Sequence, residues 1–295
     1  MTIPNRAIAS TRLSSKFFAC AVRSIKLISC IAALVSLSAL AAESNKTSSP
    51  TSAAKPAASP AIQIAGELVV SLDARDPSAG SKVWTNQGSM GHFSRLGAPK
   101  RTTISGQPAV QFNGTNDAYR SEKPTPATIT GDHARSIEVW VNNDSLDSPE
   151  ECLVAWGHRG GALTNMAFNY GSGGGFSAVT HYDQDMGWGD DPPAAGQWHH
   201  LVYTYDGSTA KIYDNAVERG SQEFKLATAP DDRMNIAVEN SAEGEPLFVS
   251  EWDSPWALTL SGCLSVVRVH TGALAPAQIK SNFTADQARF GASAP

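Results

Sequence analysis

The sequence predicts an all-β protein, a two-sheet antiparallel sandwich with one short C-terminal helix. Short segments alternate apolar and polar residues with period two, Gly, Pro, Asp and Asn turns separate them, and only Pro276–Phe283 carries helical periodicity. Many short strands with a single helix read as packed sheets, and a stretch of roughly 230 residues suits one such sandwich.

In chain order, residues 1–42 carry Arg6, Arg12, Lys16, Arg23 and Lys26, no acidic residue, and then the apolar run Leu27–Leu40 followed by Ala41-Ala42. That is the pattern of a secretory signal peptide. The apolar run is shorter than the about 20 residues a spanning helix needs, so no membrane insertion is expected after cleavage. Residues 43–61 form a Ser/Thr/Ala/Pro/Lys tract without a large apolar side chain, expected to be a disordered spacer. The domain proper is placed at 62–291, and the protein is expected to be secreted, periplasmic or at the cell surface.

Leu68–Asp73 reads as the first strand, followed by short strands near His92–Leu96 and Ala109–Phe112 and a turn at Asn113-Gly114. Ser136–Val141 alternates, with Ile137, Val139 and Val141 toward the core and Glu138 and Trp140 away from it. Cys152–Trp156 is strand-like, and Met166–Tyr170 with Phe176–His181 flank Gly171–Gly175 as a hairpin. The clearest signal is His200–Tyr205, with Leu201, Tyr203 and Tyr205 on one face; Asp206-Gly207 supplies a turn and Lys211–Tyr213 the returning strand.

The 23 Lys and Arg against 28 Asp and Glu give a net charge of −5; without the five signal-peptide cations the balance is 18 against 28, a net of −10. Such an acidic domain is a poor partner for nucleic acid or anionic membranes. Of four cysteines, Cys20 and Cys30 leave with the signal, so Cys152 and Cys263 remain for an oxidising compartment, either bridged or as two buried thiols.

Trp198-His199-His200, Tyr205-Asp206-Gly207 and Lys211-Ile212-Tyr213 together resemble the central hairpin of the laminin-G-like, concanavalin A-like lectin/glucanase superfamily. Leu68–Asp73 is similar to the family's opening strand, Gln111–Asp117 to its F-x-G-x-x-D turn, Ser136–Val141 to its E-x-W-V strand, and Val266–Leu274 with Pro276–Ile279 to its closing strand and helix. The resemblance spans about Ile62 to Phe290 and implies jelly-roll topology. One departure is Asn215-Ala216, where the family has Asp-Gly or Asn-Gly; Ala at a left-handed position is strained, so a remodelled turn is expected there.

Candidate site residues follow from what sugars need: aromatic faces to stack on, with polar groups for the hydroxyls. Trp156, His158 and Arg159 in W-G-H-R-G-G, Tyr182 and Trp188 in the acidic loop, and Trp252 and Trp256 in E-W-D-S-P-W are the candidates. Asp183, Asp185, Asp190 and Asp191 could supply oxygen ligands to Ca²⁺, or could simply form a solvated loop. The spacing is not that of an EF-hand; the family resemblance implies rim Ca²⁺ in many members without fixing ligands here. His199-His200 is read as structural, because adjacent strand residues point to opposite faces.

For catalysis, the family's retaining glucanases carry E-x-D-x-x-E on one strand; Glu251-Trp252-Asp253-Ser254-Pro255-Trp256 supplies the first two acids but has Trp256 in place of the last. No lyase constellation, G-x-S-x-G, H-E-x-x-H or paired C-x-x-C is present. The expectation is a non-catalytic module binding a glycan or a surface or extracellular protein. The alternatives are a polysaccharide-degrading enzyme and a structural envelope domain.

Overall fold

The computed structural model describes residues 61–248 and 258–292. The signal peptide, nearly all of the spacer and the whole Glu251–Trp256 stretch, with Trp252 and Trp256, lie outside the described residues.

In chain order the strands are β1 (Leu68–Asp73), β2 (Val83–Trp84), β3 (Phe93–Leu96), β4 (Lys100–Ile104), β5 (Gln107–Gln111), β6 (Ala118–Pro124), β7 (Arg135–Asn143) and β8 (Cys152–Gly157). Then come β9 (Asn165–Asn169), β10 (Val179–Thr180), β11 (Asp185–Met186), β12 (Trp198–Tyr205), β13 (Thr209–Asp214), β14 (Val217–Glu223), β15 (Arg233–Ile236), β16 (Gly262–His270) and helix α1 (Pro276–Phe290). The first sheet runs β14-β13-β12-β7-β16-β5-β4, with β1 also paired to β16; the second runs β11-β10-β9-β8-β15-β6-β3-β2. Their ladders are antiparallel, which makes the fold a two-sheet jelly-roll sandwich.

Alternation dictates the core. Ile137, Val139 and Val141 of β7 and Leu201, Tyr203 and Tyr205 of β12 meet Trp156, Met166, Phe168 and Ile236 of the opposite sheet in one buried cluster, each such side chain stabilising the fold by about 1.5–3 kcal/mol. One cation sits within this layer. Arg135 is fully buried, donating to the Ile129 carbonyl at 2.6 Å and to Thr228 Oγ1 at 2.8 Å, with its guanidinium 5.2 Å from the Tyr205 ring. Burial lowers its pKa from the usual arginine value.

The β12–β13 hairpin forms as its sequence dictates. Asp206 Oδ1 accepts the backbone N–H of Ser208 at 2.9 Å and of Thr209 at 2.8 Å, and Gly207 takes φ 102°. At Asn215-Ala216 the expectation of a remodelled turn is corrected. Asp214 pairs directly with Val217, so the two-residue turn is kept with Asn215 at φ 49° and Ala216 at φ 66°. Asn215 is locked by exchanging bonds with His200, N–H to carbonyl at 2.9 Å and Oδ1 from the His200 N–H at 2.9 Å, and this offsets the strain at Ala216.

Helix α1 covers the outer face of the first sheet. Pro276 fits its first turn, Gln278 Oε1 reaches back to the Ala275 N–H at 2.9 Å, and Gly291 at φ 61° closes it. Phe290 and Phe283 stack on Trp140 with ring centroids 4.1 and 5.8 Å apart. Beneath the helix, Glu138 accepts from His200 Nε2 at 3.2 Å, His270 Nε2 at 2.9 Å and Asn282 Nδ2 at 3.0 Å, tying β7, β12, β16 and α1 together. Burial alone would raise the Glu138 carboxyl, but the hydrogen bonds from the two histidines hold it well below the usual range. His199, on the other face of the strand, pairs with Asp214 at 2.7 Å.

The disulfide alternative is also corrected. Cys152 lies on the second sheet with Ala155 and Ala167, whereas Cys263 lies on the first sheet with Trp140 and Trp198; both are free and buried. Burial raises both thiols, Cys263 to about 12, so neither is a ready nucleophile. Alkylation of the native protein with iodoacetamide is expected to leave both unmodified, and alkylation in denaturant without reductant to modify both. A mass showing no modification in denaturant until reductant is added would mean that they are bridged.

Candidate functional site

The outer face of a sandwich sheet normally meets water, but in the second sheet the centre of this face is buried, while its ends at Asp185, Arg120 and Ser94 are partly exposed. Reading register partners across seven strands gives the row Asp185, Thr180, Ala167, Ala155, Asn235, Arg120, Ser94, all on this face. Ala155 and Ala167 hollow its centre, and Asn165 and Asn169 flank Ala167 along β9.

Polar groups fill the hollow. Asn169 Nδ2 donates to Glu150 Oε1 at 2.8 Å and Thr180 Oγ1 donates to the same oxygen at 2.6 Å. Asn165 Nδ2 donates to Glu239 Oε1 at 2.7 Å and to the Thr180 carbonyl at 3.2 Å. Arg159 Nε lies 3.6 Å from Glu239 Oε1, and its guanidinium is 5.9 Å from the Tyr182 ring. Asn165, Asn169, Asn235 and Glu239 are all fully buried, yet Oδ1 of each asparagine and Oε2 of Glu239 accept no hydrogen bond. Unmet buried acceptors cost free energy, and together they ask for donors.

The electrostatics agree. Burial, then repulsion from Glu150, pushes the Glu239 carboxyl up to about 8 against the pull of Arg159 and Asn165. Burial likewise raises Glu150 and Asp185. Two carboxyls with raised pKa beside one arginine, on a hollowed sheet face, form the most chemically unusual cluster among the described residues.

Of the residues singled out from sequence, Arg159, Tyr182 and Asp185 gather here, with Asp185 Oδ1 holding the His181 N–H at 2.9 Å. Trp156 does not: it is fully buried in the core and donates to the Ile129 carbonyl at 3.1 Å. Trp188 also turns inward, 6.3 Å from Phe168. Both are buried in the inner core, so stacking on a ligand is closed to both. His158 turns to Asp232, at 2.7 Å. Asp191 pairs with Arg219 at 3.0 Å, while Asp183 and Asp190 are exposed. Among the described residues no group of three or more His, Cys, Asp or Glu is arranged to hold a metal ion, so the four aspartates as they stand do not fit a Ca²⁺ cage. Glu150, Glu239, Asn165 and Asn169 went unseen in the sequence; for Asn165 and Asn169 the available signal was polar residues alternating with apolar Met166 and Phe168 in β9, whereas Glu150 and Glu239 lie outside the strands and left none.

The chain matches the family model of the concanavalin A-like lectin/glucanases superfamily over residues 113–280. It belongs to that superfamily. A search of curated proteins found no match. Among solved structures, domain 4 of AbnA, an extracellular arabinanase of Geobacillus stearothermophilus in complex with arabinotriose, is similar at TM-score 0.50 and 18% identity, over 74% of this chain and 98% of that one. Trypanosoma rangeli sialidase in complex with sialic acid is similar at TM-score 0.51 and 16% identity, over 77% of this chain but only 34% of that one. The binding domain of Paraclostridial Mosquitocidal Protein 1 is similar at TM-score 0.50 and 13% identity, over 74% and 52%. These likenesses are of fold, and the fold serves both binding domains and glycosidases.

Proposed function

We propose that this is an exported glycan-binding module whose site is the outer face of the second sheet, entered beside Tyr182 and Arg159. The observation that carries the reading is the row of buried acceptors on that face. A glycan is dense in hydroxyl donors and has no charge to desolvate, so it supplies what Asn165, Asn169, Asn235 and Glu239 lack. The similarity to an arabinanase domain solved with arabinotriose supports the same class of ligand. Carboxylates at the site, in an acidic chain, argue for neutral glycans over sialylated ones.

A glycan array of neutral and acidic oligosaccharides, run with millimolar Ca²⁺ and with EGTA, tests this. The expected result is selective binding of neutral glycans, with affinity about tenfold weaker in Tyr182→Ala, a loss of about 1.4 kcal/mol, at an unchanged melting temperature. Binding to acidic glycans alone, or to none, would overturn it. The EGTA arm reads whether the Asp183–Asp191 loop rearranges to take up calcium.

A second reading, glycan cleavage, is favoured by one observation, the Glu150–Glu239 pair with raised pKa beside Arg159. A carboxyl kept protonated near neutral pH can act as a general acid. Release of reducing ends from a neutral polysaccharide, abolished in Glu239→Gln, would establish it; no release by the wild-type protein would dismiss it.

A further inference from the structure

A cavity lies on the outer face of the first sheet, where helix α1 ends. Its volume is about 250 Å³, and it is lined by Ser105, Asn142, Gly196, Gln197, Trp198, Asn215, Phe290, Gly291 and Ala292. Register explains the assembly: Asn142 of β7 pairs with Trp198 of β12 on one side and Cys263 of β16 on the other, so its side chain follows Glu138 and Trp140 onto the helix-covered face. The Trp198 and Phe290 rings, with centroids 5.0 Å apart, form one wall, and Trp198 Nε1 is tied to the Ile104 carbonyl at 3.4 Å.

Three features mark this cavity as a built site. Asn142 is only 3% exposed and lines the cavity, and its side-chain amide has no hydrogen-bond partner among the described residues. Gly196 and Gly291 leave the mouth open, since a Cβ on either would meet nothing within 4 Å. Every lining side chain is uncharged, and the carbonyl end of α1, the negative pole of the helix, points the same way. Amide, hydroxyl and carbonyl groups on an aromatic wall match a ring of hydroxyls with apolar C–H faces. Arg289, the cation of the helix's last turn, is paired with Asp73 and Asp286 and does not line the cavity, so an anion would meet the helix carbonyls without a partner of its own. The volume falls below the range of about 300–1,000 Å³ usual for drug-sized ligands, so the occupant is small.

We propose that this cavity binds a single neutral sugar ring, a second glycan subsite independent of the second-sheet face. Asn142 would bond to ring hydroxyls as both donor and acceptor from the floor, Gln197 would do so from the rim, and Ser105 and Asn215 would complete the polar side.

The test is saturation-transfer NMR on the purified protein with methyl glycosides of glucose, galactose, mannose and arabinose, and with methyl glucuronide as the charged control. At least one neutral glycoside is expected to bind, at least tenfold more weakly in Asn142→Leu and about threefold more weakly in Gln197→Ala. Gln197 is exposed, so that variant folds whatever Asn142→Leu does. Tyr182→Ala is expected to leave this binding unchanged, which separates the subsite from the second-sheet face. Failure of all four neutral glycosides, equal binding of the glucuronide, or wild-type affinity in both cavity variants would overturn the proposal, whatever the second-sheet face does.

Discussion

Replacing Glu138 by alanine is expected to destabilise the protein by about 3–5 kcal/mol, the range for breaking a buried charged network by removing one partner. For a domain of this size that lowers Tm by roughly 10–15 °C. Glu138 is fully buried and is the shared acceptor of His200, His270 and Asn282. Without it, the two histidine donors lose their acceptor beneath α1 and Asn282 Nδ2 keeps only the Gln63 carbonyl at 3.0 Å. Asn282 Oδ1 also accepts the Gln63 N–H at 2.6 Å, so the loss spreads to the start of the domain. Calorimetry of the variant beside Lys211→Ala makes the comparison sharp. The Lys211–Glu218 pair, at 2.9 Å with side chains 35% and 40% exposed, is expected to be worth less than about 1 kcal/mol. Equal shifts in the two variants would mean that the Glu138 network holds nothing together.

That network also marks how far the sequence could be read. Period-two alternation placed Glu138 and Trp140 away from the core and Leu201, Tyr203 and Tyr205 toward it, because a half-buried strand shows its faces in one dimension. The β12–β13 hairpin was legible for the same reason, its turn chemistry being local to Asp206-Gly207. What joins Glu138 to His270 and Asn282 is contact between residues far apart in the chain, and no periodicity records that. The same limit hid the second-sheet face: Glu150 and Glu239 stand 89 positions apart and meet only because β8, β9 and β15 become neighbours. Arg159, Tyr182 and Asp185 were found because unusual residue types crowd there locally. Trp156 and Trp188 read as ligand-facing because Gly-rich or acidic residues surround them, yet Trp156 lies on the inward face of β8 and Trp188 packs against Phe168 in the same core, contacts that local composition does not record. Ala216 shows the converse, a local rule overridden when His200 holds the preceding Asn215 on both sides.

Stability is expected to fall as pH rises from about 5 to 8, and Glu239→Gln to remove about one proton's worth of that fall. The Glu239 carboxyl titrates near 8 when folded against an ordinary 4.5, chiefly through burial and then through Glu150. A folded-state pKa raised above the unfolded one means that the native protein binds the extra proton. The contribution is therefore whole below about 4.5, decays as pH rises and is gone above about 8. Glu151, raised by burial to about 7, adds in the same direction. His181 opposes them at the acid end: burial, then Arg135, lowers it to about 3, so its contribution is whole above 6.5 and is lost as pH falls. Together these groups put the maximum near pH 5. Urea denaturation across pH 5–8 should show a slope shallower in Glu239→Gln by about 1.4 kcal/mol per pH unit, the value of one proton. Because Glu150 and Glu239 titrate as a pair, that proton belongs to the two together, and Glu150→Gln should flatten the slope in the same range. Glutamine keeps the oxygen that Asn165 donates to and is neutral at every pH, so the variant should overtake the wild type on the alkaline side. Identical slopes in wild type and Glu239→Gln would mean that Glu239 folds as a carboxylate, and the case for an acid held ready on the second sheet would go with it.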